Sequence, residues 1–198
     1  MSILSIDLKR AHRRSQNSKL YFTYADLSYL PMWPESPLVE LTEGELFLVP
    51  SPTPAHQMIS KKIFRLLDDY VSAKNLGVVF YAPVDVYLSE ENVLIPDLIF
   101  ISKEKATSIT KKNVQGPPDL VIEIISSDRD RDMVDKRTQY EKFAVPEYWV
   151  IDEENKQIHV FVLAGGKYGP SRIFRENDVI SPILPSLGDL KIPVKSVF

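Results

Sequence analysis

Asp97, Glu123 and Lys136 are the residues of this sequence best suited to do chemistry. The two carboxylates are each set in an otherwise apolar stretch, and the lysine lies in the helix that follows. Glu123 interrupts Leu120-Val121-Ile122-Glu123-Ile124-Ile125, and Asp97 interrupts Leu94-Ile95-Pro96-Asp97-Leu98-Ile99-Phe100-Ile101. A carboxylate in a buried strand is costly unless something pairs with it. Hard cations such as Mg2+ or Mn2+ take one or two carboxylates, with water and phosphate oxygens completing the shell. Phosphodiester hydrolysis also needs charge stabilisation and a positioned water, which a nearby lysine assists. Asp97 and Glu123 on neighbouring strands could supply the metal ligands, Lys136 the positive charge, and Tyr140, one helical turn on, its orientation. The competing reading of Lys136 is a surface lysine whose stem covers apolar area.

Elements must bring these groups together. In a strand from Leu120 to Ile125, Glu123 shares a face with Val121 and Ile125, while Leu120, Ile122 and Ile124 face the other way. Asp119 lies on the same face as Glu123 and competes with Asp97. Four residues of strand span about 13 Å, whereas metal–oxygen bonds are about 2 Å long. Asp119 and Glu123 therefore cannot share one ion, which favours Asp97. Ser126-Ser127-Asp128 caps a helix reaching about Phe143, with an inward stripe of Met133, Lys136 or Arg137, and Tyr140. Thr53 can cap an earlier helix that starts at Pro54. Its apolar stripe runs Ile59, Ile63, Leu66, Leu67, Tyr70, and His56 falls on that stripe. Such a histidine is either a site member or a satisfied core residue. Leu38 to Pro50 reads as two strands turning at Glu43-Gly44, and Glu45, among Leu46, Phe47, Leu48 and Val49, could point inward.

The remaining pattern is a short helix capped by Thr23 and stopped by Pro31, then strands Val78–Tyr81, Asp85–Leu88 and Leu94–Ile101. A polar loop from Lys103 to Gly116 precedes the Leu120 strand, and strands Tyr148–Asp152, Ile158–Leu163 and Tyr168–Phe174 follow the helix. The sum is an α/β (α+β) fold, a central mixed sheet flanked by helices.

The 198 residues suit one medium-sized domain over 21–198. Residues 1–20 carry Lys9, Arg10, Arg13, Arg14 and Lys19, and read as a flexible basic arm, either a frayed tail or a contact for nucleic acid. A net charge of −3 argues against binding nucleic acid by bulk charge alone. The absence of cysteine excludes disulfides, thiolate metal sites and a cysteine nucleophile, and fits a reducing, cytoplasmic interior. No apolar run is long enough for a membrane span, and no secretory signal is visible.

The sequence resembles the PD-(D/E)XK nuclease superfamily and, more narrowly, the Uma-two family, a domain family of unknown function assigned to the restriction endonucleases. The resemblance rests on Val39-Glu40-Leu41 with Gly44-Glu45-Leu46, on His56, and on Ala82-Pro83-Val84-Asp85-Val86. It continues through Pro96-Asp97-Leu98-Ile99-Phe100, Pro118-Asp119 to Ser126, Asp132 with Lys136 and Tyr140, and Val145-Pro146-Glu147-Tyr148-Trp149-Val150-Ile151-Asp152. It implies a restriction-endonuclease-like core and a Mg2+ or Mn2+ site at Asp97 and Glu123. The implied activity is hydrolysis of DNA phosphodiester bonds by an endonuclease. The superfamily's usual lysine position, two residues after the strand glutamate, is Ile125 here, so Lys136 must reach in from the next helix. By position Glu45 and His56 could complete the site as an extra ligand or a water-orienting group. A homodimer is expected by analogy with enzymes that cut two strands. Two other readings stay open: a nuclease-fold module that binds nucleic acid or protein without turnover, and a metal-dependent hydrolase of small substrates.

Overall fold

Proline punctuation and strand alternation divide the described strands among a five-stranded sheet, a seven-stranded sheet and a small two-stranded one formed by the last two strands. The computed structural model describes residues 20–29, 37–126 and 128–198. The first elements are α1 (Tyr24–Leu27), β1 (Val39–Thr42), β2 (Glu45–Leu48) and the long helix α2 (Pro54–Lys74). Then come β3 (Gly77–Tyr81), β4 (Val86–Ser89), β5 (Asn92–Leu94), β6 (Leu98–Ser102), β7 (Val114–Gln115) and β8 (Leu120–Ile124). A π-helical turn, Arg131–Lys136, leads into α3 (Arg137–Lys142). The chain closes with β9 (Glu147–Asp152), β10 (Gln157–Ala164), β11 (Lys167–Tyr168), β12 (Arg172–Arg175), β13 (Val179–Ile180) and β14 (Ile192–Pro193).

The smaller sheet has the order β2-β1-β5-β4-β7. The larger runs β11-β10-β9-β8-β6-β3, with β12 also pairing β10. In it β8 and β9 are parallel and β6 is antiparallel to β8. Both faces of β8 are covered. Leu120, Ile122 and Ile124 pack with Leu98, Phe100 and Trp149 against the Ile59, Ile63, Leu67, Val71 stripe of α2. Val121, Ile99, Tyr148 and Val150 pack on the other side against Tyr140 of α3 and Val86 and Leu94 of the smaller sheet. A strand buried on both faces reads as a near-continuous apolar run, as β8 does.

Several expected elements have different bounds. The strand expected from Leu94 to Ile101 is two strands in different sheets, β5 and β6. Pro96 has no N–H for a ladder, so the chain leaves one sheet at Ile95 and joins the other after Asp97. Asp97 therefore stands at the start of β6 rather than inside it. The expected Tyr168–Phe174 strand is split into β11 and β12 around Gly169-Pro170-Ser171. The polar loop after β6 contains a 3-10 turn, Lys103–Ser108, and the short β7. The basic residues Lys9 to Lys19, and Pro31, lie outside the described residues.

Candidate active site

Strand register brings the two predicted carboxylates to one end of the larger sheet. Leu98 pairs with Ile122 across the antiparallel β6–β8 ladder. One step further, Asp97 stands opposite Glu123, where cross-strand neighbours share a face. Asp97 Oδ2 accepts the Ile124 N–H at 2.8 Å. Its Oδ1 is 2.9 Å from His56 Nε2. His56 owes its position to the start of α2, where Thr53 Oγ1 accepts its backbone N–H at 3.1 Å and Pro54 opens the helix.

Glu123 is 2% exposed. The Tyr140 hydroxyl donates to its Oε1 at 2.8 Å, and Lys136 Nζ donates to the same oxygen at 3.0 Å. Lys136 also lies 3.1 Å from Glu40 Oε1 and 3.8 Å from Asp132 Oδ1. At 8% exposure it is no surface lysine. The π turn carries Asp132 and Lys136 together on its buried side, and such turns recur at functional sites. Asp132 is fixed by the Ser126 N–H at 3.0 Å and the Ser126 hydroxyl at 3.3 Å, and its backbone carbonyl accepts the Tyr148 hydroxyl at 2.8 Å.

Three participants, Glu40, Arg131 and Asp132, are not singled out as site residues by the sequence. Arg131 Nη2 donates to Glu40 Oε2 at 2.6 Å, with its guanidinium 3.9 Å from the Phe47 ring centroid. Glu40 Oε1 also takes the Ile95 N–H at 3.0 Å. In the β1–β2 hairpin the carboxylate bonded to Lys136 is that of Glu40. Glu45, the expected contributor, is half-buried and paired in register with Thr42. The signal for Glu40 was the one that singled out Glu123, a carboxylate between apolar neighbours in a strand. Asp119 binds elsewhere, accepting the Ser102 N–H at 2.8 Å and facing Lys105 at 3.1 Å.

Four carboxylates, Glu40, Asp97, Glu123 and Asp132, thus gather around two permanent cations, Arg131 and Lys136. Burial drives the Glu123 carboxyl up to about 8; Lys136 opposes this, and the charges of Asp97, Asp132 and Glu40 reinforce it. Burial also raises Asp132, against the pull of Lys136 and the Ser126 N–H. For Glu40 burial acts upward, but Lys136, Arg131 and the Ile95 N–H outweigh it and its carboxyl is lowered. Burial alone would lower Lys136; Glu123, Glu40 and Asp132 overcome this, so it remains an ammonium. His56 is raised because its bond to Asp97 and the nearby acids outweigh the cost of burying its charge. In the Glu123–Lys136 pair, the glutamate holds the exchangeable proton near neutral pH. Among the described residues, no group of three or more His, Cys, Asp or Glu is placed to hold a metal ion.

Sheet order and flanking helices define the class as a mixed α/β fold. The chain superposes on the crystal structure of "a putative nuclease belonging to DUF820" from Anabaena variabilis ATCC 29413 with a TM-score of 0.75, covering 89% of this chain and 97% of that one at 18% identity. That likeness establishes the fold. The Uma2 family, described as "Putative restriction endonuclease", matches residues 25–195, and the chain belongs to that family. No curated protein matches it. Among the described residues no helix is long and apolar enough to cross a membrane.

Proposed function

We propose that this protein is a metal-dependent endonuclease that hydrolyses DNA phosphodiester bonds at the Asp97–Glu123–Lys136 cluster. The observation carrying this reading is the charge imbalance. With all four carboxylates ionised, the two permanent cations leave two negative charges unmatched, the charge of one divalent cation. The donors are hard oxygens, and Mg2+ characteristically takes only one or two carboxylates, leaving the rest of its shell to water and phosphate. Asp97 and Glu123 would hold Mg2+ or Mn2+. Such an ion supplies Lewis acidity toward phosphoryl oxygen and makes a bound water more acidic.

The chain's own groups divide the remaining work. Tyr140 and Lys136 fix the Glu123 carboxylate through one oxygen. Lys136 keeps a permanent positive charge beside the site, where it can offset charge that grows on phosphate. His56 holds Asp97 in place and can bind or release a proton at Nε2. The side chains of His56 and Asp97 are 13% and 18% exposed, against 3% for Glu123. Substrate therefore approaches from the His56–Asp97 side. A DNA substrate is supported by the family's description as restriction endonuclease. A second reading, a nuclease fold that binds without turnover, draws on the direct Lys136–Glu123 hydrogen bond, which already occupies one glutamate oxygen.

Incubation with supercoiled plasmid and Mg2+ or Mn2+ separates the two. Wild-type protein should nick and linearise the plasmid, and Asp97→Asn, Glu123→Gln and Lys136→Met should each lower the rate about 100-fold or more. Equal, negligible cleavage by wild type and variants would leave the binding module standing instead.

A further inference from the structure

The end of β3 places an aromatic side chain on the α2 face of the sheet, next to the strand that starts just after Asp97. Tyr81 pairs in register with Leu98, and the next residue, Ala82, donates its N–H to the Asp97 carbonyl at 2.9 Å. Tyr81 shares a face of β3 with Val79, which is buried beneath α2. Tyr81 itself is 61% exposed. Its ring meets Phe64 edge to face, with centroids 4.9 Å apart and planes at 75°. That contact braces the ring without burying it.

Basic groups lie on the exposed side of α2. Lys61 is one helical turn before Phe64, and Arg65, which points further round toward solvent, is one turn after Lys61. With Lys62 and Asp69 they line a cleft of about 390 Å³. Three cations against one acid reverse locally the net charge of −3 carried by the whole chain. Lys62 donates to the Phe198 carbonyl at 2.5 Å, so Lys61 and Arg65 are the exposed cations of that face.

We infer that Tyr81 is a stacking platform for an unpaired base of the DNA strand entering the site, with Lys61 and Arg65 contacting that strand's phosphates. Aromatic stacking accepts any base because each has a π-face, and basic side chains track the backbone beside it. In an intact duplex both faces of an internal base are already covered. The platform therefore selects single strands, or DNA with unpaired nucleotides near the cut. This rests on the nuclease reading above and narrows its substrate.

Fluorescence anisotropy in EDTA reads binding without turnover. Labelled single-stranded 15-mers and the matching duplex are titrated with wild type, Tyr81→Ala, Tyr81→Phe and Lys61→Gln. Wild type should bind the single strand more tightly than the duplex. Tyr81→Ala should weaken single-strand binding about tenfold, with Tyr81→Phe close to wild type. Lys61→Gln should reduce the slope of log K against log salt by about one. Thermal melting of Tyr81→Ala should match wild type, since the ring is exposed. Single-strand binding by Tyr81→Ala within twofold of wild type overturns the platform, as does an equal loss in Tyr81→Phe. If such a variant still cuts DNA as wild type does, only the platform falls. If wild type neither binds nor cuts any DNA, the platform and the nuclease reading fall together.

Discussion

Glu123 receives both Tyr140 and Lys136 on a single oxygen while three other carboxylates crowd the same space. Its carboxyl is raised from an ordinary 4.5 to about 8. Between those values the folded protein keeps a proton that the unfolded chain has released, so folding is favoured at low pH and penalised as pH rises. The contribution is complete below about 4.5 and is lost as pH passes about 8. His56, also raised, acts with the same sign, and Lys136 adds no slope because it stays charged throughout. Urea midpoints of the metal-free protein should therefore fall from pH 6 to pH 9, and Glu123→Gln should flatten that fall. A midpoint that holds level or climbs over this range, or an identical slope in the variant, would refute the assignment of the proton to Glu123.

Local elements translate the sequence into these contacts, and they do so unevenly. The start of α2 was legible because Thr53 and Pro54 are unambiguous capping chemistry, and the cap places His56 toward Asp97. Thr53→Ala should cost about 1 kcal/mol in chemical denaturation and lower the cleavage rate by loosening His56. Unchanged stability would mean that the cap does not hold the helix start. The β1–β2 hairpin was legible as a turn at Glu43-Gly44, but which acid it sends inward was not, because both Glu40 and Glu45 sit among apolar neighbours and only long-range packing decides which strand is covered. Glu40 rather than Glu45 meets Lys136. The π turn was not legible at all. A π turn adds one residue to a helical ring, and side-chain periodicity cannot display this over six residues. Arg131 consequently went unrecognised, while the Asp132–Lys136 spacing was visible as an i,i+4 pair.

At the scale of the fold, α2 covers β8 on one face, and α3 with the smaller sheet covers it on the other. The apolar run of β8 foretold that burial, and Pro96 carried, unread, the information that the chain changes sheets just before Asp97. The sequence pattern thus brought out the three charged groups at 97, 123 and 136, but the cluster's charge balance needed Glu40 and Arg131, which only long-range pairing brings in. On the proposed reading, that balance is what would draw a divalent cation to the sheet end. Calorimetric titration of Mn2+ into the protein at pH 7, repeated in buffers of different ionisation enthalpy, measures this directly. The expected result is one binding event that releases protons as Glu123 ionises, absent in Asp97→Asn and Glu123→Gln. No binding by wild type, or undiminished binding by both variants, would contradict it.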